Sequence, residues 1–273
     1  MRNAALRSLA IGFFDGVHLG HRQILAGAAR AITFKTHPLA VLDPARKPPM
    51  LMTWPERERA IRDCGVEEVL ALDFTPHLAA MPAQEFADKY LRGFAVRCGG
   101  NWTFGKGGRD NADTLKKLGY EVEVVPYAEY AGRPVSSTRI REAIAQGLVE
   151  DAAKMLGRPW QLTGAVQGGK GEGRKLGYPT LNIVPDGELV EPPAGVYECR
   201  CLGRKAICNY GMAPTFGERA WAKKVCEVHI LEHGATGGGE ATVELVRFIR
   251  PERKFADLDA LKAQIRKDID GIL

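Results

Sequence analysis

The sequence predicts two domains of different fold class: an α/β domain with a parallel sheet at residues 1–156, and a small antiparallel β-barrel with a terminal helix at residues 157–273. The 273 residues exceed the usual size of one domain, and 45% of them are hydrophobic, which is enough to fill two cores. The first half alternates strand-type and helix-type segments. The second half contains short β-type runs separated by glycine-rich turns.

In the α/β part, a strand-type segment, a helix-type segment and a second strand-type segment follow one another, which is the βαβ arrangement of a parallel sheet. The predicted strands are 9–14, 31–34, 68–72, 95–96 and 121–125. The predicted helices of this part are 22–30, 55–63, 84–91 and 112–118.

Two further helices, 137–145 and 149–156, are predicted before Gly157-Arg158-Pro159 interrupts the helical pattern, and we place the domain boundary there. The predicted barrel strands are 161–166, 195–201, 205–209, 225–231 and 241–249. The segment 258–272 carries apolar residues at helical spacing, so we expect a helix packed on the barrel. These apolar residues are Leu258, Leu261, Ile265 and Ile269.

Composition limits the class of protein. Charged residues make up 26% of the chain, and no stretch reaches the roughly 18 consecutive apolar residues of a membrane helix. The N-terminus lacks the pattern of a secretory signal, so we expect a cytoplasmic protein without a membrane partner, either a monomer or a weak homo-oligomer. The six cysteines form no CxxC pair, which argues against zinc and against disulfides.

The net charge of +5 comes from basic residues scattered among acidic ones, without a long basic block. This pattern favours phosphorylated small molecules as ligands over nucleic acid. A nucleic-acid-binding protein would also account for the pI near 8.9, but it would leave two phosphate-binding motifs unexplained.

The first of these motifs follows the first predicted strand, in the segment from Gly12 to His21. His18 and His21 stand three residues apart where a helix begins, which places both imidazoles on one side of its first turn. A helix N-terminus attracts anions, and Gly20 permits close backbone approach, so the segment suits a triphosphate and nucleotidyl transfer. A histidine pair at this spacing also occurs in ordinary loops and in metal sites.

A second element lies near the end of the same domain, in the segment from Ser136 to Arg141. The hydroxyls of Ser137 and Thr138 can cap a helix, and Arg141 follows one turn later, which is again a phosphate-binding arrangement. Taken alone, this segment would be an ordinary N-cap.

His-x-Gly-His and Ser-Ser-Thr-x-x-Arg, together with Asn101-Trp102-Thr103-Phe104-Gly105, resemble the HxGH nucleotidyltransferases, specifically the FMN adenylyltransferase half of bifunctional FAD synthetases. The resemblance implies a Rossmann-like domain in which His18 and His21 contact the ATP phosphates. It also implies that Ser137, Thr138 and Arg141 close over the phosphates. The remaining residues that it implies are Gly12, Phe14 and Gly20 for ATP, and Asn101 and Phe104 for the flavin.

Two features depart from that family pattern. Thr36 stands where a proline is usual in the segment from Thr33 to Pro38, and the stretch from His21 to Thr33 leaves only about two helical turns. An alternative reading is therefore a riboflavin kinase whose adenylyltransferase domain has weakened into a flavin- or nucleotide-binding module.

The second motif is a basic, glycine-rich loop of residues 168–177, of a kind whose backbone N–H groups can wrap a phosphate chain. It nearly spells a P-loop, but Gly171 stands where the magnesium-binding Ser or Thr belongs. Downstream, alternation along an extended strand points Thr180 and Asn182 to one face, where their oxygens can hold Mg²⁺ against ATP phosphates. The predicted phosphate-binding residues are Gly169, Lys170, Gly171, Gly173 and Arg174.

Gly-x-Gly-Arg-x-Leu-Gly-x-Pro-Thr-x-Asn resembles the riboflavin kinase signature, and it follows the first domain in the order that bifunctional FAD synthetases show. The resemblance implies that Glu227 accepts the proton of the ribityl 5′-hydroxyl and that Asn209 lies near the flavin. Residues 157–273 would then phosphorylate riboflavin and residues 1–156 would convert FMN to FAD. Both reactions would use ATP and Mg²⁺.

Overall fold

A computed structural model describes residues 6–168, 173, 176–212, 224–231 and 238–273. Contacts divide the chain into two compact units, Met1–Ser137 and Thr138–Leu273. No helix among the described residues has both the length and the hydropathy that crossing a bilayer requires.

The first unit contains a five-stranded parallel sheet, which confirms the predicted α/β class. All five predicted strands are present, in the spatial order β3-β2-β1-β4-β5. The central strand β1 is buried because it is flanked on both sides by β2 and β4. The strands are β1 (Arg7–Ile11), β2 (Arg30–Phe34), β3 (Glu68–Leu72), β4 (Phe94–Gly99) and β5 (Val122–Val125).

The helices of this unit are α1 (Leu19–Leu25), α2 (Leu39–Leu42), α3 (Trp54–Arg62), α4 (Pro76–Ala79), α5 (Ala83–Tyr90) and α6 (Ala112–Lys117), with 3-10 turns at Pro44–Arg46 and Lys106–Gly108. The prediction for α1 was wrong at both ends, because His18 caps the helix and Gly27, with φ 74°, follows its end. A capping box formed by Thr53 and Glu56 starts α3.

A small hairpin, β6 (Glu129–Tyr130) and β7 (Arg133–Pro134), leads to helices α7 (Ser137–Ala145) and α8 (Val149–Leu156). Both helices have the predicted bounds. Gly157, in the left-handed conformation, ends α8. Because α8 packs against two strands of the barrel, the contact division assigns these helices to the second unit. The domain boundary after residue 156 stays a prediction.

The second unit contains a closed six-stranded barrel of antiparallel pairs, as the sequence predicts. Strand β9 was not among the predicted barrel strands, and it closes the barrel between β12 and β8. The strands are β8 (Trp160–Gln167), β9 (Leu181–Pro185), β10 (Gly195–Cys201), β11 (Arg204–Met212), β12 (Lys224–Ile230) and β13 (Glu240–Pro251).

Alternation along these strands fills the barrel with apolar side chains and thiols. Burial and neighbouring thiols raise the pKa values of the four cysteine thiols inside the barrel, so they are protonated at neutral pH. The six cysteines, which all lie among the described residues, form no disulfide bond. The four barrel cysteines are Cys199, Cys201, Cys208 and Cys226.

The terminal helix α9 (Leu258–Asp270) packs on the outside of the barrel, as predicted. Ile269 packs against the apolar cluster that contains Val196 and Ile207. The buried carboxylate of Asp268 pairs with Arg250 of β13 at 2.8 Å, which fixes the helix to the sheet. The expectation that Leu258 faces the barrel was wrong, since this first helical residue is 64% exposed.

Candidate functional site

The loop between β1 and α1 forms the first candidate site. Phe14 and Val17 adopt positive φ angles of 59° and 40°, which are costly for residues with a Cβ atom. The Phe14 ring is buried against Gly12, where a Cβ atom would come within 2.9 Å of it. Gly12 and Phe14 therefore form the inner layer of the loop that carries the two histidines.

His18 caps α1, and its Nδ1 accepts the backbone N–H of His21 at 3.3 Å. The accepting Nδ1 leaves the proton of a neutral His18 ring on Nε2, which can donate to a phosphate oxygen. The two rings stack with their centroids 3.5 Å apart. Gly20 keeps its backbone close to the His18 ring, because a Cβ atom there would lie 3.4 Å from it.

His21 is held neutral at pH 7. Burial lowers its pKa well below the ordinary value, and electrostatic interactions with His18 and Arg57 lower this pKa further. Its Nδ1 is buried and has no hydrogen-bond partner among the described residues. The edge of the ring packs against Phe14 at a centroid distance of 5.4 Å.

Asp15 joins three separate parts of the first unit, and it was not among the predicted site residues. Its buried carboxylate accepts the backbone N–H of Leu51, with both oxygens at 3.1 Å. The hydroxyl of Ser137 donates to its carbonyl at 2.9 Å, which brings Ser137 to the histidine loop. The predicted partners Thr138 and Arg141 follow in α7 and belong to the second unit.

The two predicted flavin contacts of the first unit lie in different environments. Asn101 is exposed directly after β4, at the carboxyl edge of the sheet. Phe104 is only 7% exposed and stacks on Trp102 at 4.7 Å within the apolar core. The flavin-binding role of each stays a prediction.

In the second unit, strand pairing aligns three of the predicted residues on one rung of the barrel. Asn182 of β9 pairs with Glu227 of β12, which pairs with Asn209 of β11. The rung continues through Val196 of β10 to Arg250 of β13. Directly paired residues point to the same face of a sheet, so these side chains share the outer surface of the barrel.

A cavity of about 740 Å³ opens over this rung. One wall is the outer face of the barrel and the other is helix α9, so apolar surface from Val196, Ile207, Leu261 and Ile265 meets the polar rung. Such a mixture suits a large aromatic ligand with a polar tail. The predicted residues that line it are Gly173, Thr180, Asn209 and Glu227.

Contacts at the mouth of the cavity hold these residues in place. A Cβ atom at Gly173 would collide with the Tyr178 carbonyl, so this position needs a glycine. His229 lies on the same face of β12 as Glu227, and its Nδ1 is 2.9 Å from the Pro179 carbonyl oxygen. This contact fixes the chain that leads into Thr180.

The amide of Asn209 donates to the Glu252 carboxylate at 2.8 Å, which leaves its oxygen as an acceptor toward the cavity. Glu252 belongs to a charged segment from the end of β13 to the start of the last helix, which was not among the predicted site residues although its cluster of charges is visible in the sequence. The segment's cavity-lining residues are Arg250, Glu252, Arg253, Lys254 and Phe255.

The predicted phosphate-binding residues Gly169, Lys170, Gly171 and Arg174 lie outside the described residues. For the metal, the hydroxyl of Thr180, the amide of Asn182 and the carboxylate of Glu227 are the hard oxygen donors that Mg²⁺ takes alongside phosphate oxygens, so these residues fit the ion. Among the described residues, no group of three or more His, Cys, Asp or Glu side chains could hold a metal ion.

Comparisons with known proteins cover both halves of the chain. Residues 2–139 match the family model for FAD synthetase, and residues 156–272 match the model for riboflavin kinase. The bifunctional riboflavin kinase/FMN adenylyltransferases of Escherichia coli K12 and Listeria monocytogenes are 34% and 33% identical to this chain over 95% of its length, and the matches cover 90% and 89% of those proteins.

A crystal structure described as a macrolide-efflux protein from Streptococcus pneumoniae has the same fold, with a TM-score of 0.85 and 30% identity. The match covers 99% of this chain and 95% of that one. The similarity therefore extends over both units.

Proposed function

This chain belongs to the bifunctional riboflavin kinase/FMN adenylyltransferase family, and from that membership we propose how its two sites divide the work. The protein is an enzyme of flavin cofactor biosynthesis that phosphorylates riboflavin to FMN and adenylylates FMN to FAD. We assign the adenylyltransferase reaction to residues 1–156 and the kinase reaction to residues 157–273. ATP is the donor in both reactions.

The observation that carries the kinase assignment is the shared rung of Asn182, Glu227 and Asn209, of which Glu227 and Asn209 line one cavity. In this proposal Glu227 accepts the proton of the ribityl 5′-hydroxyl while that oxygen attacks the γ-phosphorus of ATP and ADP leaves. The Asn209 amide oxygen, oriented by Glu252, accepts a hydrogen bond from the flavin substrate.

Thr180 and Asn182 would hold Mg²⁺, which neutralises phosphate charge when it is bound. Asn182 pairs with Glu227 across neighbouring strands, and Thr180 lines the same cavity as Glu227, which supports binding of the phosphate chain near the acceptor hydroxyl. The glycine-rich loop, with Gly169, Lys170, Gly171, Gly173 and Arg174, would cover the phosphates.

For adenylyl transfer, a phosphate oxygen of FMN attacks the α-phosphorus of ATP, and pyrophosphate leaves. The reaction needs no covalent nucleophile, so the protein positions groups and stabilises charge. His18 can donate from Nε2, and His21 meets the phosphates from the same helix turn. Ser137, Thr138 and Arg141 would contact the phosphates as well, and Gly12, Phe14 and Gly20 shape the loop.

A single incubation tests both assignments. The purified chain is supplied with riboflavin, ATP and Mg²⁺, and FMN, FAD and pyrophosphate are separated and quantified over time. We expect FMN to appear first and FAD to follow with one pyrophosphate each. Formation of neither flavin product would refute the proposed function.

The alternative, a kinase with a weakened adenylyltransferase domain, is favoured by the seven-residue length of α1 and by Thr36. It predicts FMN formation from riboflavin without pyrophosphate release from FMN and ATP. The same incubation, started from FMN, separates the two proposals.

We also propose that the protein acts in the cytoplasm on small molecules, as a monomer or a weak homo-oligomer, and not on nucleic acid. The scattered arrangement of its basic residues supports the last of these points, that nucleic acid is not a ligand. Salt-sensitive binding to RNA or DNA would contradict this part of the proposal.

A further inference from the structure

Arg57, in the middle of α3, is the largest side chain among the described residues with less than 2% exposure. A charged guanidinium is rarely buried, because its desolvation must be offset by close partners. This arginine was not among the predicted site residues, and it has no role in the two proposed reactions. Its surroundings indicate one.

The guanidinium joins the ends of the two central strands. Its Nη2 donates to the carbonyls of Phe34 and Lys35, at 2.6 and 2.8 Å, where β2 ends. Its central carbon lies 4.1 Å from the ring centroid of Phe13, which follows β1. In parallel α/β sheets, ligands bind at this carboxyl edge, and Arg57 packs there against Phe13 of the loop between β1 and α1.

The charge is only partly compensated. The Nε and Nη1 groups of Arg57 are buried and have no hydrogen-bond partner among the described residues. Burial lowers the pKa of Arg57 to about 10, while the Asp15 carboxylate acts in the opposite direction, so the side chain remains a cation at neutral pH. Buried unpaired donors destabilise a fold, and a site that keeps them commonly has a functional reason.

We propose that Arg57 is a positioning residue for adenylyl transfer: it clamps the loops after β1 and β2 and supplies a buried positive charge that acts on His21. The inference rests on the adenylyltransferase function proposed above. Arg57 acts through Phe13, Phe34, Lys35 and His21, and it does not contact the substrate itself.

Among the described residues of the first unit, two charged or titratable groups act on His21 and a third acts on Arg57. His18, at the cap of α1, stacks on the His21 ring, and Arg57 acts from α3. Asp15, in the loop between β1 and α1, acts on Arg57. Removal of the cation at position 57 leaves His18 and burial in place, so the pKa of His21 should rise toward the ordinary histidine value while remaining below it.

The test compares Arg57→Met, which removes the charge, with Arg57→Lys, which keeps the charge but not the planar fork. Arg59→Met, an exposed arginine of the same helix, is the matched control. Each full-length variant is assayed for FAD formation from FMN and for riboflavin phosphorylation. The His21 titration is followed by NMR of the histidine ring protons and assigned with a His21→Gln spectrum.

We expect Arg57→Met to lower FAD formation by about 100-fold and to raise the pKa of His21, with riboflavin phosphorylation unchanged. Arg57→Lys should lower FAD formation by about tenfold and leave the His21 titration near that of the unmodified chain, because only the clamp is lost. Arg59→Met should change neither.

A folded Arg57→Met chain that forms FAD at the normal rate would overturn the inference. So would an Arg57→Lys chain whose His21 titration moves as far as that of Arg57→Met. If Arg57→Met unfolds the first unit, as circular dichroism would show, Arg57→Lys alone decides. Failure of the unmodified chain to form FAD would instead count against the proposed function, while the NMR titration would still test the charge.

Discussion

In the first unit the candidate site lies on loops at the carboxyl ends of β1 and β2, whereas in the second it lies on a single rung of paired strands. The loop site needs positive φ angles, a buried cation and a hydrogen bond between residues 122 positions apart. The rung site is aligned by strand register and held by hydrogen bonds between neighbouring residues. The comparison indicates that a substitution near the loop site should lower activity by displacing neighbouring groups. A substitution on the rung should lower activity by removing the chemistry of one side chain.

The largest effect is expected on the rung. Changing Glu227→Gln keeps the shape of the side chain but removes its basic carboxylate, so riboflavin phosphorylation should fall by about 10²–10⁴-fold. Binding of ATP and riboflavin should persist, and FAD formation from supplied FMN should be unaffected. Steady-state kinetics and binding titrations check this, and an enzyme with a near-normal rate of FMN formation would remove Glu227 from the mechanism.

The loop site should respond next. Changing His21→Ala removes a donor from the proposed phosphate site, so FAD formation should fall by about 10²–10³-fold or more while riboflavin phosphorylation persists. Rates of FMN and FAD formation are measured on the same preparation. Equal loss of both activities would break the proposed separation of the two sites.

Two fragments test where the second site begins. A fragment of residues 157–273 carries the whole rung but lacks α7 and α8, whereas one of residues 138–273 keeps them. Four buried side chains of α8 would be lost from the shorter one, and burial of the three larger ones is worth roughly 1.5–3 kcal/mol each. The four are Val149, Ala152, Met155 and Leu156.

We therefore expect both fragments to phosphorylate riboflavin, with a lower Tm for the shorter one. Thermal unfolding and kinase assays measure this. If the shorter fragment is insoluble and the longer one is active, the kinase domain begins at residue 138.

The smallest effect concerns stability and pH. The folded chain holds the pKa of His21 well below the ordinary value of about 6.5, so between these two values the unfolded chain binds the extra proton. The free energy of unfolding should then fall as the pH drops below about 6.5, by about 1.4 kcal/mol for each tenfold difference in proton affinity. Urea unfolding at pH 5.5 to 7.5 should show a shallower pH dependence for His21→Gln than for the unmodified chain. Parallel curves for the two would contradict this account.

Local patterns predicted most elements because alternation and helical periodicity depend on neighbouring residues. The bounds of α7, α8, β3 and β10 agree with the prediction, and so does the order of an α/β domain before a barrel. The helix α1 was misplaced because its start depends on a side-chain cap by His18. Strand β9 was not counted among the barrel strands because a five-residue strand after a proline-containing segment has too few residues to show a clear alternation.

The sequence by itself determined the two fold classes and predicted the histidine motif and the pair Thr180 and Asn182, because each is a local pattern, whereas Glu227 was predicted from the resemblance to riboflavin kinases. Only the tertiary structure decided that Asn182, Glu227 and Asn209 share a rung, and that Arg57 is buried beneath the histidine loop. Strand register and the burial of a cation depend on residues far apart in the chain, so no spacing along the sequence records them.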